Sequence, residues 1–304
     1  MSQVLVIRLG ALGDFVQSFA PFAAIRAHHA GDDITLLTTA PFAAMARRSP
    51  WFDAVEVDAR PLWWQVGGLR RLAGQLRGFE MVYDLQTSAR SSRYFWLAGR
   101  PPWSGIARGA RFAHANPARD VMHTLERQRE QLAMAGISVF PAPDLSWLAD
   151  AAHPPVPEPF ALLVPGASPH RPAKRWPASR FGEVARLILA EGVRPVVLGT
   201  AAEHPLAAEI LARCPEVIDL TGATDLPALA ALAARARFAL GNDTGPMHLA
   251  AAMACPCVVL FSGASDPRLT APRMPGGGWP LVLRAPDLAD LAAARVAAAL
   301  PLRP

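Results

Sequence analysis

Cysteine is scarce in this chain: among 304 residues only Cys214, Cys255 and Cys257 occur. An odd number cannot be fully paired, and the Cys-Pro-Cys spacing has no second pair with which to complete a zinc site. A disulfide framework and a zinc module are therefore excluded, and the three thiols are expected reduced in the core. Blocks of one charge are also missing. The 30 Lys and Arg against 25 Asp and Glu give a net charge of +5 and a pI near 9.8. The positive charge comes from scattered arginines, not from basic runs interleaved with aromatics, so no nucleic-acid partner is expected. Anionic lipid head groups attract such a surface by about 1 kcal/mol per nearby basic residue, which leaves peripheral membrane contact open. The N-terminus, MSQVLVIRLGALGDF, lacks the features of a signal peptide: Arg8 and Asp14 interrupt its apolar run and no small-residue cleavage site follows. A cytoplasmic location is expected. The stretch from Thr244 to Ser265 has no Asp, Glu, Lys or Arg, but Gly245, Pro246, Pro256 and Gly263 break it. It reads as a buried helix followed by a buried strand, not as a membrane span.

What the sequence does have is length and alternation. Hydrophobic residues make up 52% and charged residues 18%, and 304 residues suit two α/β domains of roughly 150 residues each. Apolar runs of strand length alternate with Ala/Leu-rich helical stretches throughout, which implies parallel sheets flanked by helices. Strands are expected near Val4–Arg8, Ile34–Thr38, Ala54–Val57, Met81–Leu85 and Trp103–Ile106. After a Pro-rich linker between Phe140 and Pro159 they resume near Phe160–Val164, Pro195–Leu198, Val217–Leu220, Phe238–Leu240 and Cys257–Phe261. Helices are expected after Asp14 and near Met122–Ala135, Ser179–Ala190, Pro205–Arg213, Leu226–Ala234, Pro246–Met253 and Leu288–Ala299. The expected domains are residues 1–150 and 151–304, both Rossmann-like.

Three strings lie where such sheets bind ligands, at the carboxyl ends of strands. The first is GALGD, Gly10 to Asp14. Gly10 and Gly13 permit a tight turn with positive φ or close backbone approach, but they do not reproduce the G-x-G-x-x-G dinucleotide fingerprint, so NAD and FAD are disfavoured. Asp14 has two compatible readings, a helix cap and a carboxylate able to accept the proton of an attacking hydroxyl. The second string, VPGASPHRPAKRWP from Val164 to Pro177, supplies His170, Arg171, Lys174 and Arg175. These cations suit a diphosphate or form a solvated basic loop. The third, GNDTGPMHLAAA from Gly241 to Ala252, runs from a strand into a helix with Pro246 in the first turn. The N–H groups of Thr244, Gly245 and Met247 are expected to form a phosphate seat there. Asn242, Asp243 and Thr244 also suit simple capping, and His248 either contacts phosphate or packs. Glu203 opens a helix where an acid can bind ribose hydroxyls or cap the helix start.

With these three strings in order, the chain resembles the ADP-heptose:lipopolysaccharide heptosyltransferases of glycosyltransferase family 9 over essentially its whole length. The strongest likenesses are in VIRLGALGDFVQSFAPFAAIR, PGASPHRPAKRWP and GNDTGPMHLAAAMACPCVVLF. The resemblance implies the GT-B architecture, an N-terminal acceptor domain and a C-terminal donor domain around an interdomain cleft. It also implies inverting transfer of heptose from ADP-heptose to the inner core of lipopolysaccharide, without a metal or any cofactor beyond the ADP-sugar. Asp14 then corresponds to the general base, and Lys174 to a catalytic lysine at donor phosphate and sugar. Glu203 corresponds to the ribose acid, and Asp243, Thr244, Gly245, Pro246 and His248 to the donor pocket. Gly10 and Gly13 fall on the acceptor side, and peripheral contact at the cytoplasmic face of the inner membrane stays open on the basic charge alone. Gly10-Ala11 stands where many relatives carry hydroxyl-bearing residues, and Ala167 to Arg171 also departs from the pattern. The Arg-bearing stretches Arg90–Arg100 and Arg108–Arg119 suit lipid phosphates or acidic sugars. Other readings stay open at this point: another nucleotide sugar, a glycan or protein acceptor, a noncatalytic nucleotide-sugar binder, or a sugar-nucleotide epimerase.

Overall fold

A computed structural model describes residues 1–168 and 170–302; Pro169, within the expected basic loop, lies outside them. The chain divides into two compact units, Met1–Pro143 and Asp144–Pro304. The first contains β1 (Gln3–Ile7), α1 (Leu12–Gln17), α2 (Phe19–His28), β2 (Asp33–Thr38), α3 (Ala40–Arg47), β3 (Ala54–Val57), α4 (Val66–Leu76), β4 (Met81–Asp84), α5 (Ala89–Leu97), β5 (Trp103–Gly105), β6 (Phe112–Ala113) and α6 (Thr124–Met134). The second contains α7 (Ser146–Ala149), β7 (Phe160–Val164), α8 (Ala178–Ala190), β8 (Arg194–Val197), α9 (His204–Leu211), β9 (Ile218–Asp219), α10 (Leu226–Arg235), β10 (Phe238–Asn242), α11 (Gly245–Ala252), β11 (Cys257–Phe261), α12 (Pro267–Thr270), β12 (Leu281–Arg284) and α13 (Ala293–Ala297).

Each unit holds one six-stranded parallel sheet, in the orders β3-β2-β1-β4-β5-β6 and β12-β11-β10-β7-β8-β9. Both are the doubly wound Rossmann order, in which the winding reverses between β1 and β4 and again between β7 and β10. The sequence dictates this through its central strands. Val4–Ile7 and the whole of β7, FALLV, are buried, as expected of strands covered by helices on both faces. In the second unit Leu163, Phe181, Val184, Ile188, Phe238 and Leu260 share one apolar cluster. In the first, Leu5, Ile7, Val82, Phe95 and Trp103 do the same. The reversal points leave room at the strand ends, and ligand sites form there.

The expected α/β class and two Rossmann-like sheets are present, with several differences of detail. Strands β6 and β12 close one edge of each sheet; β6 is two residues long and β12 is poorly buried, so neither carries the apolar signature of a central strand. The single helix expected over Leu288–Ala299 breaks into a 3-10 turn (Leu288–Asp290) and α13. At the break Leu291 and Ala292 are extended, and the indole Nε1 of Trp176 donates to the carbonyl of Leu291 at 2.9 Å. The Pro-rich segment is not a bare tether either. Its α7 packs against α10, with Leu148 and Ala151 buried, which moves the division from residue 150 to Pro143. Thr244–Ser265 does form a helix followed by a strand, α11 and β11. Among the described residues no helix is long and apolar enough to cross a membrane, and the three cysteines are free and buried.

Candidate active site

In the first unit the reversal point places the end of β1 beside the end of β4. The backbone of Arg8 extends the β1–β2 pairing through its N–H to Leu37 O at 3.0 Å, and its guanidinium turns inward. Nε donates to the carbonyl of Asp14 at 3.2 Å, Nη1 donates to the carbonyl of Leu85, and Nη2 stands 3.5 Å from Asp14 Oδ1. At that separation the last contact is an ion pair and not a hydrogen bond. Burial lowers the pKa of Arg8, opposed by the negative charge of Asp14. Gly10 has φ +122°, and a Cβ there would come within 2.9 Å of the Phe42 ring, so this turn requires glycine. Gly13, in contrast, lies inside α1 and outside the positive-φ set. The tight-turn reading therefore holds for Gly10 alone.

The capping reading of Asp14 is not realised. Ala11 is the N-cap of α1 without a side-chain cap bond, and Asp14 falls in the first turn, where its carboxylate faces Arg8. Helix geometry explains the shift, because two residues of α1 precede Asp14 and carry it past the cap position. The carboxylate opens into a hollow of about 350 Å³ lined by Arg8, Gln86, Thr87, Arg119, Asp120 and Arg127. Burial and then the charge of Arg127 lower Arg119 to a pKa of about 10, so it remains a cation at neutral pH. Asp84 lies at the end of β4, its Oδ1 accepting from the N–H groups of Gln86 at 3.1 Å and Thr87 at 3.0 Å. Burial pushes its pKa up to about 6. Thr87 has φ 43°, an uncommon conformation for a non-glycine residue that recurs at functional sites. Of the arginines in the two expected acceptor stretches, Arg119 lines the hollow. Arg90 instead braces the carbonyls of Arg60 and Pro61.

In the second unit β7 pairs with β10, Val164 opposite Gly241. A Cβ at Gly241 would meet Met247 Sδ at 2.6 Å and Val164 Cβ at 2.8 Å, so glycine lets the strand and the following helix approach β7. Asn242 is buried and ties the loop after β7 to β10. Its Nδ2 donates to Pro165 O at 2.8 Å and its Oδ1 accepts from Trp176 N at 3.0 Å. That loop then delivers Lys174, at the end of a 3-10 turn, to Asp243. Nζ donates to Oδ2 at 2.5 Å with both side chains largely buried. Lys174 is the single lysine of the chain.

Thr244 is the N-cap of α11, in extended conformation and without a side-chain cap bond. The expected seat is narrower than three N–H groups. That of Met247 donates to Thr244 O at 3.1 Å, a 3-10-type bond that tightens the first turn, which leaves Thr244 and Gly245 at the partly exposed helix start. Pro246 occupies the first turn and His248 is buried in the helix. Glu203 serves as a cap. Its Oε2 accepts from Thr200 N at 2.8 Å and from Thr200 Oγ1 at 2.6 Å. The same side chain also leans over Gly166, where a Cβ would stand 3.0 Å from its Cγ. Lys174, Asp243 and the start of α11 therefore converge, with Glu203 on the flank. His170 and Arg171 stay exposed.

Sequence reasoning missed Arg8, Gln86, Arg127 and Trp176, and read Asn242 only as a cap. For Arg8 a signal existed: a charged residue closing the apolar run VLVIR must find a buried partner.

Residues 69–276 match the model of glycosyltransferase family 9 (heptosyltransferase), a span that contains Lys174, Glu203 and Asp243 and begins after Asp14. The chain is 28% identical to lipopolysaccharide heptosyltransferase 2 of Salmonella typhimurium and 26% identical to that of Escherichia coli, in each case over 89% of this chain and 85% of the relative. A solved E. coli heptosyltransferase with ADP shares its fold, with a TM-score of 0.79 at 22% identity and 97% coverage of both chains. That likeness assigns the GT-B fold. With the family model covering more than half of the chain, the protein belongs to glycosyltransferase family 9, the heptosyltransferases, and is a glycosyltransferase.

Proposed function

We propose that the enzyme transfers a heptose from ADP-heptose to the inner core of lipopolysaccharide, inverting the anomeric centre in a single displacement without a metal ion. In this reading the first unit binds acceptor and the second binds donor, the ADP-sugar being a co-substrate and no cofactor being needed. The observation that carries the reading is the pairing of Lys174 with Asp243 beside the start of α11. A fixed ammonium next to a helix N-terminus is the chemistry that a departing diphosphate requires. The identity of sugar and acceptor is supported by the likeness to lipopolysaccharide heptosyltransferases 2 over most of the chain.

The acceptor hydroxyl gives its proton to the Asp14 carboxylate as its oxygen attacks the anomeric carbon. The bond from that carbon to the diphosphate breaks on the opposite face, and ADP departs with the electron pair. Lys174 and the N–H groups of Thr244 and Gly245 stabilise the charge growing on the diphosphate, the work otherwise asked of a metal. In this reading Glu203 accepts from ribose hydroxyls through the oxygen not used in its cap. Arg8, Arg119 and Arg127 offset the negative charge of phosphate or acidic sugar on the acceptor while Asp14 works among them.

The test is incubation with ADP-heptose and truncated lipopolysaccharide, followed by mass spectrometry. A gain of one heptose is expected. No gain, together with thermal stabilisation by UDP-sugars and none by ADP, would replace the donor assignment.

A further inference from the structure

The first unit carries an exposed aromatic turn that is not part of the lining of the hollow at Asp14. Between β3 and α4 the side chains of Leu62, Trp63, Trp64 and Val66 stand in solvent, with Trp63 79% and Trp64 58% exposed. The two indoles meet edge to face, their centroids 5.4 Å apart. The turn is held in shape from behind. Leu62 N donates to Gln65 Oε1 at 2.8 Å, Gln65 N donates to Leu62 O at 2.9 Å, and Arg90 donates to the carbonyls of Arg60 and Pro61. Large apolar side chains fixed outward on adjacent positions are unfavourable in water and mark a surface that meets something.

Charge says what it meets. Residues 59–79 contain four arginines and no Asp or Glu, and residues 85–119 contain six arginines and no Asp or Glu. The first unit has 16 basic against 11 acidic residues, the second 14 against 14, so the net positive charge resides in the first unit. The carboxylates that flank residues 59–79 in sequence are turned to other partners: Asp58 accepts from the Tyr94 hydroxyl, Glu56 from Gln75 and Glu80 from Ser2. Arg70 and Arg71 are exposed on α4, which packs against α5, where Trp96 is exposed beneath the guanidinium of Arg100 at 4.0 Å. Tryptophan prefers the boundary between head groups and acyl chains, and arginine pairs with lipid phosphate.

From these observations we infer that the Leu62–Val66 turn and α4 form a docking surface for a bilayer with anionic head groups. Trp63 and Trp64 enter the head-group boundary, and Arg70 and Arg71 bind lipid phosphate. The inference does not depend on which sugar is transferred.

Co-sedimentation of the full chain with phosphatidylethanolamine vesicles, with and without phosphatidylglycerol, tests it. Binding to the phosphatidylglycerol vesicles is expected, weakened on the order of tenfold or more by Trp63→Ser with Trp64→Ser, and similarly by Arg70→Gln with Arg71→Gln. These side chains are exposed, so both variants keep the wild-type melting temperature and the turnover of a lipid-free acceptor. Absence of wild-type binding, or binding unchanged in the tryptophan variant, overturns the proposal. So does a wild type that is dimeric without lipid and becomes monomeric in that variant, which would assign the patch to a second copy.

Discussion

Nη2 of Arg8, a side chain only 4% exposed, stands 3.5 Å from Oδ1 of Asp14, whose side chain is 45% exposed. A buried cation thus backs a carboxylate that opens into the hollow, and Arg8 is fixed in turn by the carbonyls of Asp14 and Leu85. If Asp14 takes the acceptor proton, Asp14→Asn removes the base with little change of shape. Turnover is expected to fall by about 10²–10⁴-fold, while calorimetry finds ADP affinity within a few-fold of wild type. Arg8→Lys keeps the charge but loses the planar fork that serves three groups, so turnover falls on the order of tenfold with ADP affinity unchanged. Full activity in Asp14→Asn would remove Asp14 as the base.

Lys174 and Asp243 are both largely buried, and breaking such a pair from one side leaves an uncompensated charge. Lys174→Ala is therefore expected to cost about 3 kcal/mol of stability, read by urea unfolding, and to weaken ADP binding and turnover together. Lys174→Ala with Asp243→Ala regains part of the stability, because no lone charge remains, but does not regain ADP affinity. If the single and double variants are equally unstable, the two side chains are not coupled in the fold.

These sites were legible to different degrees. Strands β7 and β11 agree with expectation at both ends, because five consecutive apolar residues bounded by polar or Pro-containing segments have few other fates in an α/β chain. Lys174, Asp243 and Thr244 lie inside strings whose order along the chain already pointed to strand ends. The role of Asp14 was not legible, since cap and ion-pair partner differ by where the helix begins, and that is set by the turn at Gly10. Nor was the break at Leu291, whose carbonyl accepts from the indole of a tryptophan 115 residues away. Local propensity is silent on such long-range contacts. Strand β6 escaped because two residues leave no pattern, whereas the edge strand β3, no better buried than β12, was legible.

Asp84 links the fold of this region to pH. Burial raises its folded-state pKa from 3.8 to about 6, so the folded chain keeps a proton there that the unfolded chain releases. The associated stability is fully present below pH 3.8 and is lost as pH rises through about 6, a loss of at most about 3 kcal/mol. Asp84→Asn cannot titrate. Urea unfolding across this window should find that the difference between variant and wild type moves in favour of the variant as pH rises. A difference that is flat with pH would place the Asp84 proton outside the folding equilibrium.

Asn242 tests whether the loop carrying Lys174 is held by one side chain. Its Nδ2 donates a hydrogen bond to Pro165 O and its Oδ1 accepts one from Trp176 N, both inside the second unit's core. Asn242→Ala leaves a buried carbonyl and a buried N–H without these partners, which costs roughly 2–4 kcal/mol. Asn242→Asp keeps the acceptor for Trp176 but turns a carboxylate oxygen toward the carbonyl of Pro165, so it is expected to be at least as destabilising despite its near-identical shape. Both changes release the segment between Pro165 and Trp176, and hydrogen exchange should quicken there while α8 and β8 keep their protection. ADP affinity is expected to fall further than in a surface variant of equal instability, because Lys174 loses its fixed position. Equal loss of affinity in the two would mean that Asn242 supports the fold without positioning the lysine.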